Sequence, residues 1–171
     1  APGLITQFFG VSVPMMFNSV LYFEPGIRLY ASNVVLDSDN RAVLSAVETA
    51  YRISLLNCEI RPEIGALFNL SDKISLGITG APLFTFRIPI VAHDYDDGSE
   101  AMSTVGQYFL AKARFLSLYA GGLLVWHATE KVSLEVKLGT SLPFYHFWDG
   151  EDSAFYNWLS IEPEVGFIFS F

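Results

Sequence analysis

Charged residues are scarce in this sequence. They make up 16% of its 171 residues, against about a quarter in ordinary soluble domains, and a soluble domain with so few charges would be short of solvating surface. A single cysteine, Cys58, excludes an intrachain disulfide framework. Residues 1–23 carry no charge at all, but Pro14, Asn18 and the alternating residues Phe9 to Phe17 favour a β-strand there over a transmembrane helix.

Aromatic side chains, by contrast, are abundant at 15% of the chain. A chain of this length is expected to form one domain, residues 1–171. It opens with Ala-Pro rather than Met and has no basic segment at its start. We therefore expect that a signal peptide preceding Ala1 has been cleaved from a secreted precursor.

Alternation with a period of two is clearest at the end of the sequence. Val165, Phe167, Phe169 and Phe171 share one parity, whereas the other parity carries small and charged residues. Successive side chains of a strand point to opposite faces, so this strand has one aromatic face and one polar face. A membrane barrel would turn the aromatic face to lipid and enclose the polar face.

The same alternation predicts eight antiparallel strands along the chain. The third of them is Ala-rich, and its spacing would also suit a helix. Proline has no N–H for a strand ladder, so we expect bulges where it falls inside a strand. The predicted strands are 9–17, 20–33, 41–49, 55–70, 74–87, 108–127, 132–142 and 156–171, and the prolines inside them are Pro25, Pro62 and Pro163.

Two internal repeats support this register. Residues 60–65 resemble residues 161–166, and residues 72–76 resemble residues 130–134. The segments of the second pair each begin in a short turn, at residues 71–73 and 129–131. These short turns therefore recur on one rim of the sheet, and the longer acidic loops fall on the other. Short turns on one rim and longer loops on the other are typical of outer-membrane barrels.

Charged side chains of the predicted strands gather on the polar parity, as six acids and six bases. A closed interior needs this balance, because a buried charge is tolerated only when it is paired and hydrogen-bonded. We interpret the twelve residues as a charge network inside a barrel. They are Glu24, Arg28, Glu59, Arg61, Glu63, Arg87, Lys112, Arg114, Glu135, Lys137, Glu162 and Glu164.

With its terminal phenylalanine on an alternating aromatic strand, the sequence resembles the small bacterial outer-membrane β-barrel proteins of the OmpA transmembrane domain, OmpX and OmpW types. The resemblance implies an all-β fold, an eight-stranded antiparallel transmembrane β-barrel of the outer-membrane type. Side chains just fill the interior of a barrel of this size. The resemblance also implies integration into a Gram-negative-type outer membrane, contact with its lipid, and recognition of the C-terminal strand by the barrel-assembly machinery.

The histidines do not indicate an active site. His93, His127 and His146 are dispersed, and no serine or acid joins them at a spacing that suggests nucleophilic catalysis. Lipid-modifying enzymes of the outer membrane are also eight-stranded barrels and need such a set. We predict no catalytic residue and no cofactor.

The acidic loops offer a weak candidate for a metal site. Asp94, Asp96, Asp97 and Glu100 could supply hard oxygen ligands to calcium, but their spacing departs from that of an EF-hand, so a solvated loop is favoured. Acidic loops also disfavour nucleic acid as a partner. The sequence thus predicts no metal centre beyond this candidate.

Three functions remain open. A structural or interaction barrel would have a largely plugged interior and would meet envelope or surface proteins through residues 94–100 and 149–152. A narrow channel of the OmpW type would pass small hydrophobic molecules. A lipid-modifying enzyme would need His127 or His146 beside a serine and a carboxylate. We favour the first, because a paired interior leaves little room.

Overall fold

A computed structural model describes residues 7–44, 51–144 and 160–170. Within these ranges the chain forms nine β-strands and one α-helix. In chain order they are β1 (Phe8–Ser12), β2 (Met15–Met16), β3 (Leu21–Leu36), β4 (Ala42–Leu44), β5 (Arg52–Ser71), β6 (Ile74–His93), α1 (Gly98–Leu110), β7 (Leu116–His127), β8 (Val132–Pro143) and β9 (Ser160–Phe169).

The strands form one sheet with the order β1-β3-β5-β6-β7-β8-β9, and β2 and β4 also pair with β3. The pairs that β3 makes with β2 and β4, and those that β8 makes with β7 and β9, are antiparallel. The prediction of an all-β antiparallel fold is confirmed. The predicted eight strands differ from the nine strands and one helix of the described residues.

Side-chain burial alternates along the strands as the period of two requires. In β5, residues 53, 55, 57, 59, 61, 63 and 65 are all buried, while Ile60 and Ile64 on the opposite parity are exposed. Three of the buried residues, Glu59, Arg61 and Glu63, are charged. The strand therefore hides its polar face and exposes its apolar one, the reverse of a soluble sheet.

The predicted first strand is split into β1 and β2 because of proline. Val13 donates its backbone N–H to the carbonyl of Pro25 at 3.1 Å, but Pro25 has no N–H with which to return the bond. Pro14 follows at the break and is equally unable to donate. The interruption thus falls on the partner of β3, whereas β3 itself runs through Pro25 without a break.

Pro163 produces no bulge, contrary to our expectation. The register between β8 and β9 is constant from Val132↔Phe169 to Ser141↔Ser160, and Leu138 lies opposite Pro163 within it. Hydrogen bonds alternate along an antiparallel pair, and Ser170, an even-numbered residue just beyond β9, donates its N–H to Lys131. The missing N–H of Pro163, an odd-numbered residue, therefore points away from β8 and leaves this pair intact. Strand β5 likewise continues through Pro62.

The predicted strand 108–127 is wrong over its first third. Tyr108 and Leu110 belong to α1, and Lys112 beyond it has a positive φ of 52° that ends regular structure before β7 begins. Ala101, Val105 and Phe109, four residues apart, form the buried stripe of the helix. This stripe packs on the core cluster of Val34, Ala42, Ile53 and Leu55.

The chain has two compact units. The first comprises residues 1–11, 27–60 and 84–116, and the second comprises residues 12–26, 61–83 and 117–171. We call them unit 1 and unit 2. Helix α1 and its core belong to unit 1. Within the residues described, no helix combines the length and the apolar character that a membrane crossing requires.

Candidate functional site

Lys137 lies at the centre of a buried charge cluster in unit 2. Its ammonium nitrogen is 2.9 Å from Glu24, 3.3 Å from Glu63 and 3.2 Å from Glu135. Three different strands supply these carboxylates, since Glu24 is on β3, Glu63 on β5 and Glu135 two residues before the lysine on β8. One positive charge thus contacts three carboxylates.

Arg61 forms the second centre of the same cluster. Its two terminal nitrogens bind the two oxygens of Glu164, each at 2.9 Å, a bidentate geometry that only a guanidinium offers. It also contacts Glu63 and approaches Glu162 to 3.8 Å. The guanidinium stacks 4.0 Å from the ring centre of Tyr119. The aligned repeats 60–65 and 161–166 therefore meet through Arg61 and Glu164.

Hydroxyl groups complete the coordination of these carboxylates. Ser12 donates to Glu24 at 2.5 Å, Thr79 to Glu63 at 2.9 Å and Tyr119 to Glu164 at 3.3 Å. Buried polar atoms of this kind need partners, because an unsatisfied one costs about 1–3 kcal/mol. Sequence reasoning missed these three donors, although Ser12 and Thr79 lie on the polar parity of their predicted strands.

Glycine makes room for Tyr119 in this cluster. A Cβ on Gly139 of β8 would collide with the Tyr119 ring, and a Cβ on Gly121 would lie 2.8 Å from its hydroxyl oxygen. The ring is fully buried as a result. Glycine inside a strand often marks such a close approach, and that signal was present in the sequence.

The remaining predicted network members lie in unit 1. Arg28 and Glu59 form an ion pair at 3.3 Å, and both are buried. Arg87 donates to the backbone carbonyl of Arg114 at 3.3 Å. Lys112, placed inside a strand by the sequence, is exposed beyond α1. The twelve residues are thus divided between unit 1 and unit 2.

Two arginines of unit 1 stack on aromatic rings of α1. The Arg87 guanidinium lies 4.5 Å from the ring centre of Phe109, and that of Arg114 lies 3.9 Å from the ring centre of Tyr108. Arg114 also donates to the Tyr108 carbonyl at 3.0 Å. These contacts are cation–π interactions. They fix the C-terminal end of the helix.

His127 takes part in a directional chain of hydrogen bonds in unit 2. Its Nε2 is 3.1 Å from Ser75 Oγ, and its Nδ1 is 2.9 Å from Ser133 Oγ. Because Ser75 donates its hydroxyl hydrogen to Asn69 at 2.7 Å, it can only accept from His127, which fixes the proton on Nε2. A serine nucleophile needs the opposite direction, from hydroxyl to imidazole.

Asp97, part of the candidate calcium set, caps helix α1 instead. Its carboxylate accepts the backbone N–H groups of Ser99 and Glu100, each at 3.0 Å. The bond from the Glu100 backbone, helped by the Ser99 side chain, holds the pKa of Asp97 below its usual value. Over the described ranges, no group of three or more His, Cys, Asp or Glu side chains is placed to hold a metal ion.

Strand β9 exposes the residues of its apolar face. Val165, Phe167 and Phe169 are 72%, 67% and 61% exposed. Phe171, which the sequence assigns to the same face, lies outside the described residues, as do His146 and the acidic segment 149–152. Single exposed apolar residues are ordinary, but a continuous band of them marks an interaction surface.

A cavity of about 630 Å³ lies beside the charge cluster in unit 2. Exposed residues of the two tight turns, among them Lys73 and Thr129, form its rim. Glu24 and Glu135 line it more deeply, together with His127. This space could not be predicted from the sequence, because the packing of side chains on several strands creates it.

No protein family, curated protein or solved structure matches this chain. A function must therefore be inferred from the residues themselves. Two features of the molecule are informative: the exposed apolar faces of the strands, and the acidic cluster with its neighbouring cavity.

Proposed function

We propose that this chain is an integral β-barrel of a bacterial outer membrane, with a largely plugged interior and a structural or surface-interaction role in the envelope. One observation carries the proposal: in β5 beyond residue 56 and in β8, charged residues are buried while large apolar residues on the opposite face of the same strand are exposed. In β5 this contrast is seen between neighbours, buried Arg61 and Glu63 against exposed Ile60 and Ile64.

The energetics favour lipid outside this sheet. Each large aliphatic side chain left in water forgoes about 1.5–3 kcal/mol of burial energy, and β9 alone exposes Ile161, Val165, Phe167 and Phe169. In a hydrocarbon environment that penalty disappears. Backbone groups must then pair within the sheet, and a closed barrel meets this requirement. We therefore propose that the antiparallel sheet closes on itself.

The ion pairs of unit 2 support a plugged interior over an open pore. Arg61 and Lys137 join carboxylates from β3, β5, β8 and β9, and such bridges would obstruct a wide passage. The exposed carboxylates of Asp94, Asp96 and Glu100 are available to protein partners. A role in contacts with other envelope or surface proteins fits this arrangement.

Heat-modifiable gel migration tests the closed barrel. The refolded chain in mild detergent is run on a denaturing gel with and without boiling. A closed barrel resists the detergent and migrates differently until it is boiled. Identical migration of the two samples would contradict closure.

Fluorescence quenching tests the membrane placement separately. Because Cys58 is the sole cysteine, the Cys58→Ser background allows one label at a chosen site. Ile64→Cys places the label on the exposed apolar parity, and Lys73→Cys places a matched control label on a tight turn. In lipid vesicles we expect nitroxide-labelled acyl chains to quench the label at 64, and aqueous iodide to quench the label at 73. Quenching of the label at 64 by iodide would contradict the proposal.

A narrow channel for small hydrophobic molecules is the alternative that the cavity favours. Its apolar lining includes Leu67, Leu123 and Ile168. Single-channel recordings in planar bilayers distinguish the two functions, since a plugged barrel stays silent. Discrete conductance steps that disappear in a cavity-filling Leu123→Trp variant would favour the channel.

A lipid-modifying enzyme is the second alternative. Serine–histidine contacts suggest it: Ser75 and Ser133 lie beside His127, and Ser54 lies beside His93. Ser75, however, is fully buried and donates to Asn69. Incubation with radiolabelled lipid A or phospholipid, followed by thin-layer chromatography, tests the activity. A modified product that is lost in Ser75→Ala would establish the enzyme in place of the structural role.

A further inference from the structure

The cavity of unit 2 has the dimensions of a ligand site. Its volume of about 630 Å³ falls within the roughly 300–1,000 Å³ of small-molecule pockets. The rim includes Asp72, Lys73 and Thr129, which are exposed, so the space is reached from the end of unit 2 that carries the tight turns. A molecule of moderate size can therefore enter it.

The walls are largely apolar. Leu123 and Val125 of β7 are buried, and Leu67 and Ile168 pack against them in one hydrophobic cluster. All four line the cavity. Such walls suit the hydrocarbon or aromatic body of a ligand, which gains by leaving water.

Carboxylates give the deeper part of the cavity a negative charge. Glu24 and Glu135 line it, and both are at most 9% exposed. Lys137 contacts both of them and Glu63 as well. Arg61 contacts Glu63, Glu162 and Glu164 in the same cluster. Because two cations thus face five carboxylates, the potential beside the cavity favours a further positive charge.

Tyr22 gives the cavity an aromatic surface. Its side chain lines the cavity and is 3% exposed. An aromatic ring adds apolar contact area and also attracts an organic cation that lies over its face.

We propose that this cavity binds an amphipathic organic cation, with its ammonium group beside Glu24 and Glu135 and its apolar body against Leu123, Val125 and Ile168. An anion would meet the carboxylates at low dielectric and be repelled. A bare metal ion fits less well, because the described residues hold no set of three metal-ligating side chains and because the apolar walls offer it nothing. The site goes beyond the proposed barrel function and involves residues of unit 2 alone.

Three compounds that share an indole ring but differ in the charge of their side chain test the charge requirement. Tryptamine carries an ammonium, tryptophol a neutral hydroxyl and indole-3-propionate a carboxylate. Each is titrated by calorimetry at pH 7.5 into the full chain in detergent micelles, with protein-free micelles as the blank. We expect tryptamine to bind, tryptophol to bind about tenfold more weakly or worse, and indole-3-propionate not to bind.

Two substitutions test the assignment of the site. Glu135→Gln removes a cavity carboxylate and should weaken tryptamine binding by about tenfold or more. The matched control is Glu100→Gln, an equal change at an exposed residue of unit 1, and it should leave binding unchanged. Leu123→Trp fills the cavity and should abolish binding of tryptamine and tryptophol alike.

Several results would overturn the proposal. They are no binding of tryptamine, equal affinities for the three compounds, or unchanged binding by Glu135→Gln. Heat-modifiable migration checks that each variant folds, and Glu24→Gln replaces Glu135→Gln if the latter does not. A chain that binds tryptamine but shows no heat-modifiable migration would contradict the barrel while supporting the cation site.

Discussion

The substitution Val165→Arg tests whether the exposed apolar face of β9 lies in lipid or in water. Val165 is 72% exposed and lies opposite Val136 on β8. Strand β9 has 10 residues and so extends roughly 34 Å along its own axis. If it is tilted by about 40°, it spans roughly 26 Å of a bilayer, close to the apolar band of about 25 Å in outer-membrane barrels.

Val165 is the sixth residue of β9 and would therefore lie near the bilayer midplane. Arginine on the lipid face at that depth costs about 2–4 kcal/mol, and the cost falls to about 0–1 kcal/mol near the interfaces. Leu70→Arg is the matched control, because Leu70 is 63% exposed and comes immediately before the turn at the end of β5.

Equilibrium unfolding by guanidinium in lipid vesicles, followed by tryptophan fluorescence, measures both variants. We expect Val165→Arg to lower the free energy of unfolding by about 2–4 kcal/mol and Leu70→Arg by at most about 1 kcal/mol. An exposed residue in water changes stability by only about 0.5 kcal/mol. If Val165→Arg lowers the free energy of unfolding by only about 0.5 kcal/mol, or if the two variants lower it equally, membrane insertion of β9 is refuted.

Three further predictions concern particular contacts. Arg61→Met should lower the free energy of unfolding by about 3 kcal/mol, because it leaves buried carboxylates unpaired. In a double-mutant cycle with Glu164→Gln, the two losses of stability should be less than additive. Simple additivity would contradict the bidentate pair. Gly139→Ala should cost about 1–3 kcal/mol through its clash with a buried tyrosine ring. Gly106→Ala, where a Cβ meets nothing, should instead stabilise α1 by up to about 1 kcal/mol. Equal changes in the free energy of unfolding for the two glycine variants would contradict the close packing of Tyr119 on Gly139. The pKa of Asp97 is lowered in the folded chain. Its carboxylate therefore stabilises α1 fully above the ordinary pKa of about 3.9, and this stabilisation is lost as pH falls through the lowered pKa. NMR shifts of α1 that follow the same pH curve in Asp97→Asn would contradict this assignment.

The faces of the long strands could be predicted from the sequence, because the period of two is a local property. Glu63 and Ile64 were assigned to opposite faces by parity, and the structure buries one and exposes the other. The pairing of charges could not be predicted in the same way. Lys137 lies directly opposite Glu164 in the β8–β9 register, yet Arg61 takes Glu164 in a bidentate bond, and Lys137 contacts acids on β3 and β5.

Helix α1 was missed although its signals were present. Asp97 followed by Glu100 is the spacing of a capping box, and Ala101, Val105 and Phe109 keep a helical period. The segment from 111 to 115 alternates apolar and basic residues, and this pattern suggested that the strand began before it. The helix forms because its buried face packs on the core of unit 1. These contacts involve residues far away in the sequence, so local periodicity could not distinguish the helix from a strand.

The acidic excess around Lys137 is hard to explain by stability alone. Replacing a buried ion cluster by packed apolar residues is often neutral or stabilising, so folding does not require five carboxylates to surround Lys137 and Arg61. In a chain that turns its apolar residues outward, the interior must accept polar groups, but it could accept them in equal numbers of each sign. A surplus of carboxylates beside an accessible cavity is therefore better explained by a positively charged ligand than by the needs of the fold.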